Sequence, residues 1–242
     1  MKLKENLVYN FNRLVVGVSV LLVLFISYFF NLDILLYLST IFFIFYEFYK
    51  TILKSKYLTL FLFVSFIFEF LSFHYLIDNL IFLIIITICF LIFSIYSNKY
   101  FNIFFVLFVI NILIIIPNLS LIDRNIIYLI ISISFINDTI AYIVGSYVKG
   151  PLISPKISPK KTWSGTSFSF LITTIILIYL DFNLFIAPIM AISLFYGDIY
   201  FSYIKRKLSI KDFSRLLSTH GGILDRFDSF SFLIIIFAFL NL

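Results

Sequence analysis

The chain has 242 residues, of which 62% are hydrophobic and only 12% charged, with a formal net charge of +6. A soluble globular domain is about 45–50% apolar and about 25% charged, so water-soluble fold classes are set aside. The apolar residues come in runs of roughly 17 to 24, the length that crosses a hydrocarbon core of about 30 Å as a helix. Backbone groups in lipid must pair within their own segment or in a closed barrel. Barrel strands alternate apolar and polar residues, and the run from Leu80 to Phe93 does not alternate. The sequence predicts an all-α, polytopic transmembrane helical bundle. The 21% aromatic content carries no functional reading: Phe, Ile, Tyr, Asn and Lys rise together while Ala and Gly are scarce, a compositional bias.

In chain order the spans fall at about 14–31, 33–49, 57–73, 79–96, 101–117, 125–147, 165–181, 183–203 and 226–242, from runs of membrane-spanning length. That makes nine spans, with eight as the alternative because 33–49 is short. Residues 1–100 form an N-terminal transmembrane region. Residues 101–242 form a C-terminal catalytic region carrying two long polar loops, 148–164 and 204–225. The N-terminus is basic, then apolar from Leu14, with no small-residue cleavage site, so the first span is read as retained rather than as a removed signal peptide. Cys89 stands alone in an apolar run, which leaves no disulfide framework. His74, at a helix end without metal-ligand spacing, reads as structural.

Charge orients the bundle. With the N-terminus in the cytoplasm, every Lys and Arg except Arg124 falls on a cytoplasmic segment, the asymmetry expected of inner-membrane proteins. Asp33, Asp78, Asp123 and Asp181 fall in the short outer turns. Anionic lipid head groups attract basic loops, so the positive charge calls for no nucleic acid.

Ionisable groups within or beside spans are costly and mark pathways or sites. Glu47 lies at a cytoplasmic helix end, where it reads either as a snorkelling side chain or as part of a site. Glu69 sits deeper and takes no role. Asp198, Ser202 and Lys205 recur at helical spacing on one face. Asp225 and Asp228 share a face at the start of the last span, where a helix N-terminus favours carboxylate and phosphate, and Gly221 and Gly222 allow close backbone approach there. Facing helices that carry carboxylates can hold Mg²⁺. The alternative is ion pairing of these acids with Lys205, Arg206 and Arg226. In the 148–164 loop, Pro151, Pro155 and Pro159 forbid a regular helix and favour extended backbone. Ser154, Ser158, Thr162 and Ser164 alternate with Lys156, Lys160 and Lys161, a mixture suited to polyphosphate; the alternative is a solvated basic loop.

Together these segments resemble the CDP-diacylglycerol synthase (phosphatidate cytidylyltransferase) family. Its C-terminal signature is matched, with every spacing kept, by Ser202, Lys205-Arg206, Lys211-Asp212, His220-Gly221-Gly222, Asp225-Arg226 and Asp228. Upstream, Asn137-Asp138-Thr139 with Ala141-Tyr142, Ser158 to Trp163, and Gly197-Asp198 match further family segments. The likeness covers roughly residues 135–230 and is accompanied by departures: Ser164 where the family usually has Glu, Ser218 where it has Pro or Gly, and Phe201 where an acid is common.

The resemblance implies transfer of CMP from CTP to phosphatidic acid, giving CDP-diacylglycerol and pyrophosphate, with Mg²⁺ as cofactor and a monovalent cation left open beside it. It implies Asp198 and Asp225 as metal carboxylates, and Lys205, Arg206 and Lys211 as neutralisers of phosphate charge. Asp212, His220, Arg226 and Asp228 would position ligands or the loop itself. Ser158, Lys160, Lys161 and Thr162 would contact a substrate phosphate, with Asn137, Asp138, Ser202, Gly221 and Gly222 also on the substrate side. It further implies a homodimer in a bacterial-type inner membrane, with the active site facing the cytoplasm. Three other readings compete: a CTP-dependent polyprenol kinase, which the full signature disfavours; a transporter with mid-membrane acids, supported only by Glu69; and an inactive relative, motivated by Ser164.

Overall fold

The computed structural model describes residues 19, 22–72, 80–214, 216 and 221–240. The chain divides into two compact units, one built from residues up to Ile67 with Ile210–Phe227, the other from Phe68–Ser209 with Asp228–Leu242.

The first unit holds α1 (residues 22–29) and α2 (Asp33–Glu47). α2 runs directly into a π-helical turn, Phe48–Leu53, which ends at Lys54 in the left-handed region. The helical segment therefore passes beyond the expected end at residue 49. Phe45 is the hub of this unit. Its ring lies 5.5, 5.0 and 5.7 Å from those of Phe48, Phe63 and Phe66, the last two on α3 (Lys56–Ser72). Such aromatic pairs contribute about 0.5–1.5 kcal/mol each beyond burial.

The second unit is built around α5 (Phe101–Ile122). Residues 105, 106, 108, 109, 110 and 112–115 of α5 are all buried, as expected of a helix that is apolar all round. α5 continues through Pro117 to Ile122, past the expected end at 117. Proline is tolerated within membrane helices; beside it the Asn118 side-chain amide donates to the Ile114 carbonyl at 2.7 Å. Against α5 lie α4 (Leu80–Tyr96), α6 (Arg124–Val148) and α8 (Ile186–Lys207), and α7 (Trp163–Tyr179) packs on α6 and α8. α9 (Leu224–Leu240) begins in the first unit and continues into the second. Lipid is as apolar as leucine, so close packing and polar contacts hold such helices together. Phe105, Phe108, Tyr200, Phe201 and Phe232 form one aromatic cluster, and the Tyr200 and Ser94 hydroxyls share a 2.6 Å hydrogen bond within it.

The 148–164 loop contains regular structure. Leu152–Ser154 (β1) and Ser158–Thr162 (β2) pair antiparallel, Leu152 opposite Thr162 and Ser154 opposite Ser158. Its prolines dictate extended backbone; the pairing partner was not readable from them.

Among the described residues, four helical segments are long and apolar enough to cross a membrane: Asp33–Leu53, Phe101–Leu119, Arg124–Val148 and Ile186–Lys207. Large apolar side chains such as Ile34, Leu35, Phe61 and Ile175 are more than half exposed. Apolar exposure of this extent needs a non-aqueous neighbour, and the chain is an integral membrane protein.

Candidate active site

In the second unit the hairpin meets α8. Thr162 ends β2 and caps α7, accepting a hydrogen bond from the Gly165 N–H at 3.3 Å. Capping by threonine satisfies an amide that the helix leaves unpaired. The next strand residue back, Lys161, forms an ion pair with Asp198 of α8. Further along α8, the Arg206 Nε–H donates to the Ile157 carbonyl in the hairpin turn at 3.0 Å. The hairpin is thus fastened to α8 at two points. Ser158 and Lys160 lie on the same strand as Lys161. Ser164, at the position where the family usually has Glu, donates to the Lys149 carbonyl and closes the base of the hairpin.

α8 and α9 touch at Gly197. A Cβ there would fall on the Asp228 carbonyl oxygen and lie 3.1 Å from that of Ser229, so only glycine permits this approach. Asp198 follows at once on α8, and Asp228 stands on the opposing helix. The Lys205 ammonium approaches Asp228 Oδ2 at 3.9 Å. At the next residue, the Ser229 hydroxyl bonds Ser134 at 2.6 Å and donates to Asp138 Oδ2 at 3.3 Å. Asn137 is buried and accepts from the Thr173 hydroxyl at 3.3 Å. Ser202 lies on α8 between Asp198 and Lys205. The ion pairs Lys161–Asp198 and Lys205–Asp228 set two ammonium groups against two carboxylates along α8 and the start of α9.

The first unit holds the rest of the described signature. Asp225 Oδ2 accepts two backbone N–H groups, from Phe213 and Gly222, both at 2.9 Å. Arg226 follows it on the first turn of α9. Lys211 and Asp212 lie on the segment that leads to Phe213 and are exposed. Gly221 has φ +79°, a left-handed conformation that glycine adopts without strain.

Of the two readings open for Glu47, the snorkelling one does not hold. The residue is fully buried. Oε1 accepts the Ser214 hydroxyl at 2.6 Å and the Ile223 N–H at 2.9 Å, and Oε2 accepts the Leu224 N–H at 2.9 Å. The space that a Cβ on Gly222 would need is filled by this carboxylate and the Ser214 hydroxyl. Its sequence position at a helix end gave the signal that it was unusual. Its partners, some 170 residues away, gave none.

His220, Ser218 and His74 lie outside the described residues, and most of the expected first span does too.

The sequence profile of the Cytidylyltransferase family matches residues 9–242. The chain belongs to this family. Among curated proteins, this cytidylyltransferase-family chain is 38% identical over 129 residues to the phosphatidate cytidylyltransferase of Rickettsia conorii, covering 46% of the chain and 56% of that protein. It is 41% identical over 104 residues to that of Aquifex aeolicus, covering 40% of each chain. With the phosphatidate cytidylyltransferase of Staphylococcus saprophyticus it shares 36% over 110 residues, covering 41% and 42%. In these matches the chain spans about half the length of the curated relatives, or less.

Proposed function

We propose that the protein is a phosphatidate cytidylyltransferase that makes CDP-diacylglycerol for phospholipid synthesis. The names of its relatives and the intact signature support this reading. The observation that carries it is the Lys161–Asp198 pair, which joins the basic hairpin to the carboxylate of the Gly197-Asp198 step of α8.

The chemistry asks for little covalent help. An oxygen of the lipid phosphate, already anionic, attacks the α-phosphorus of CTP. A new P–O bond forms, the bond to the β-phosphate oxygen breaks, and pyrophosphate leaves with its electron pair. Catalysis of such transfers is mostly positioning and electrostatic stabilisation. Lys161, with Ser158, Lys160 and Thr162 on the same strand, holds triphosphate oxygens. Lys205, Arg206 and Lys211 neutralise charge as polyanions meet. Asp212, His220, Arg226 and Asp228 orient ligands or the segment between α8 and α9. Asn137, Asp138, Ser202, Gly221 and Gly222 stand on the substrate side.

Single carboxylates, not a cluster, are what the described residues offer a metal: no group of three or more His, Cys, Asp or Glu gathers among them. A sparse set of hard carboxylate oxygens suits Mg²⁺, which takes one or two carboxylates and completes its shell with substrate phosphates and water. Asp198 and Asp225 are the proposed carboxylates. When bound, the ion supplies charge neutralisation on the transferred phosphorus and the leaving pyrophosphate. The proposal includes nine spans with a cytoplasmic N-terminus, an active site facing the cytosolic CTP pool, and a homodimer.

Purified protein given CTP, Mg²⁺ and phosphatidic acid tests the reading. It predicts a lipid product heavier by one cytidylyl group, with pyrophosphate in equal amount. A diacylglycerol or polyprenol acceptor that gains a phosphoryl group instead would contradict it.

A further inference from the structure

The start of α9 lacks an ordinary cap. The first amides of a helix have no intrahelical partner, and the residues immediately before Leu224 are Gly221, Gly222 and Ile223, none with a side-chain oxygen to accept from them. Glu47 does this instead, from the junction between α2 and the π-helical turn. Its carboxylate takes the amides of Ile223 and Leu224 and the hydroxyl of Ser214. Asp225 makes the reciprocal bond back to the Gly222 amide and takes that of Phe213. Two carboxylates thus tie the segment at 213, 214, 222, 223 and 224, on either side of the stretch that bears His220. Burial of a carboxylate without such donors is strongly unfavourable, and the positive end of a helix is where it is best tolerated.

We propose that Glu47 is a positioning residue for the cytidylyl transfer. It fixes the turn Gly221–Ile223 and so the presentation of Asp225 and Arg226. The second glycine of the His-Gly-Gly sequence is required because Glu47 and its hydrogen-bond partner Ser214 occupy the space its side chain would take. The role in turnover rests on the proposed function; the hold on the segment does not.

Two measurements on Glu47→Gln, Glu47→Ala and Ser214→Ala decide it. The first is amide hydrogen exchange in detergent, which needs no activity. Exchange across 213–226 is expected to speed up at least tenfold in Glu47→Ala, less in Glu47→Gln, whose amide oxygen still accepts, and least in Ser214→Ala. The second is steady-state label transfer per folded molecule, well below each variant's unfolding temperature. Misplacement by about 1 Å can lower a rate about 100-fold, so kcat is expected to fall by about that factor in Glu47→Ala and by roughly tenfold in Glu47→Gln, with KM for phosphatidic acid within about twofold. Gly222→Ala is expected to impair the wild type, because its methyl group would meet both the Glu47 carboxylate and the Ser214 hydroxyl, and to add little in a Glu47→Ala/Ser214→Ala background, where both obstructing groups are gone. A purely structural role would lower the folded fraction and leave kcat per folded molecule unchanged. That result, or unchanged exchange across 213–226, would overturn the proposal. If Glu47→Ala does not fold, Glu47→Gln and Ser214→Ala decide by the same criteria. If wild-type protein transfers no label, the functional reading fails while the exchange result still judges the hold on the segment.

Discussion

At Gly197 a single missing methyl group decides how two helices meet. The Asp228 and Ser229 carbonyls occupy the space that a Cβ would need, so α8 and α9 can approach only over glycine. Gly197→Ala must push the helices apart, and overpacking of this kind costs about 1–3 kcal/mol. The variant is expected to unfold at lower temperature in detergent and to transfer less label per folded molecule, since Asp198 and Asp228 flank the contact. An unchanged unfolding midpoint would contradict the close approach. The spacing of Gly197-Asp198 was legible in the sequence, but its reason was not, because the obstructing atoms belong to a helix that starts 27 residues later. Glu47 gives the same lesson more sharply. A buried acid at a helix end is visible as an anomaly, while the amides that satisfy it are visible only in the fold.

Helices themselves were easy to read, because apolar runs of membrane-spanning length leave little choice of conformation. Their ends were harder. α2 continues through a π-helical turn to Leu53 and α5 continues through Pro117, since local hydrogen bonds override the breaking signals. The extended backbone of residues 152–162 followed from three prolines; its folding into a hairpin depended on pairing that no proline encodes. One unanticipated join lies at the end of α8. The Lys207 ammonium donates to the carbonyls of Ser97 at 2.7 Å and Ile95 at 3.2 Å, at the C-terminus of α4, and sits 4.6 Å from the Phe101 ring centre at the start of α5. A cation there satisfies carbonyls that the helix cannot pair and complements its negative end, for about 0.3–1 kcal/mol from the dipole alone. Lys207→Met is expected to lower stability by about 1–2 kcal/mol, hydrogen bonds to a charged group included. Thermal unfolding measures this, and a midpoint equal to wild type would show that the contacts carry no weight.

For the whole molecule, composition points to the solvent and charge predicts the orientation. Every basic residue but Arg124 lies on one side of the proposed nine-span topology, which follows the bias of cytoplasmic loops. A single cysteine at position 156 of the hairpin, introduced in a Cys89→Ser background, is expected to react with an impermeant thiol reagent only from the cytoplasmic side of oriented vesicles. Reaction only from the opposite side would reverse the topology and remove the site from its supply of CTP. The division into two units was not legible in the sequence. The helical region before Ile67 is grouped with Ile210–Phe227, and the hydrogen bonds that join these distant segments connect groups with no sequence relation.

The most direct test of the central claim uses CTP labelled in parallel at the α- and γ-phosphates, supplied with Mg²⁺ and phosphatidic acid to wild type and to Asp225→Asn. Cytidylyl transfer predicts α-label in the lipid and γ-label in pyrophosphate. Replacing the carboxylate at position 225 is expected to lower α-label transfer at least 100-fold, the scale of losing one positioned electrostatic group, about 10²–10³ in rate. γ-Label in the lipid would contradict cytidylyl transfer and identify a kinase. α-Label undiminished in Asp225→Asn would keep the reaction and remove Asp225 from its proposed role.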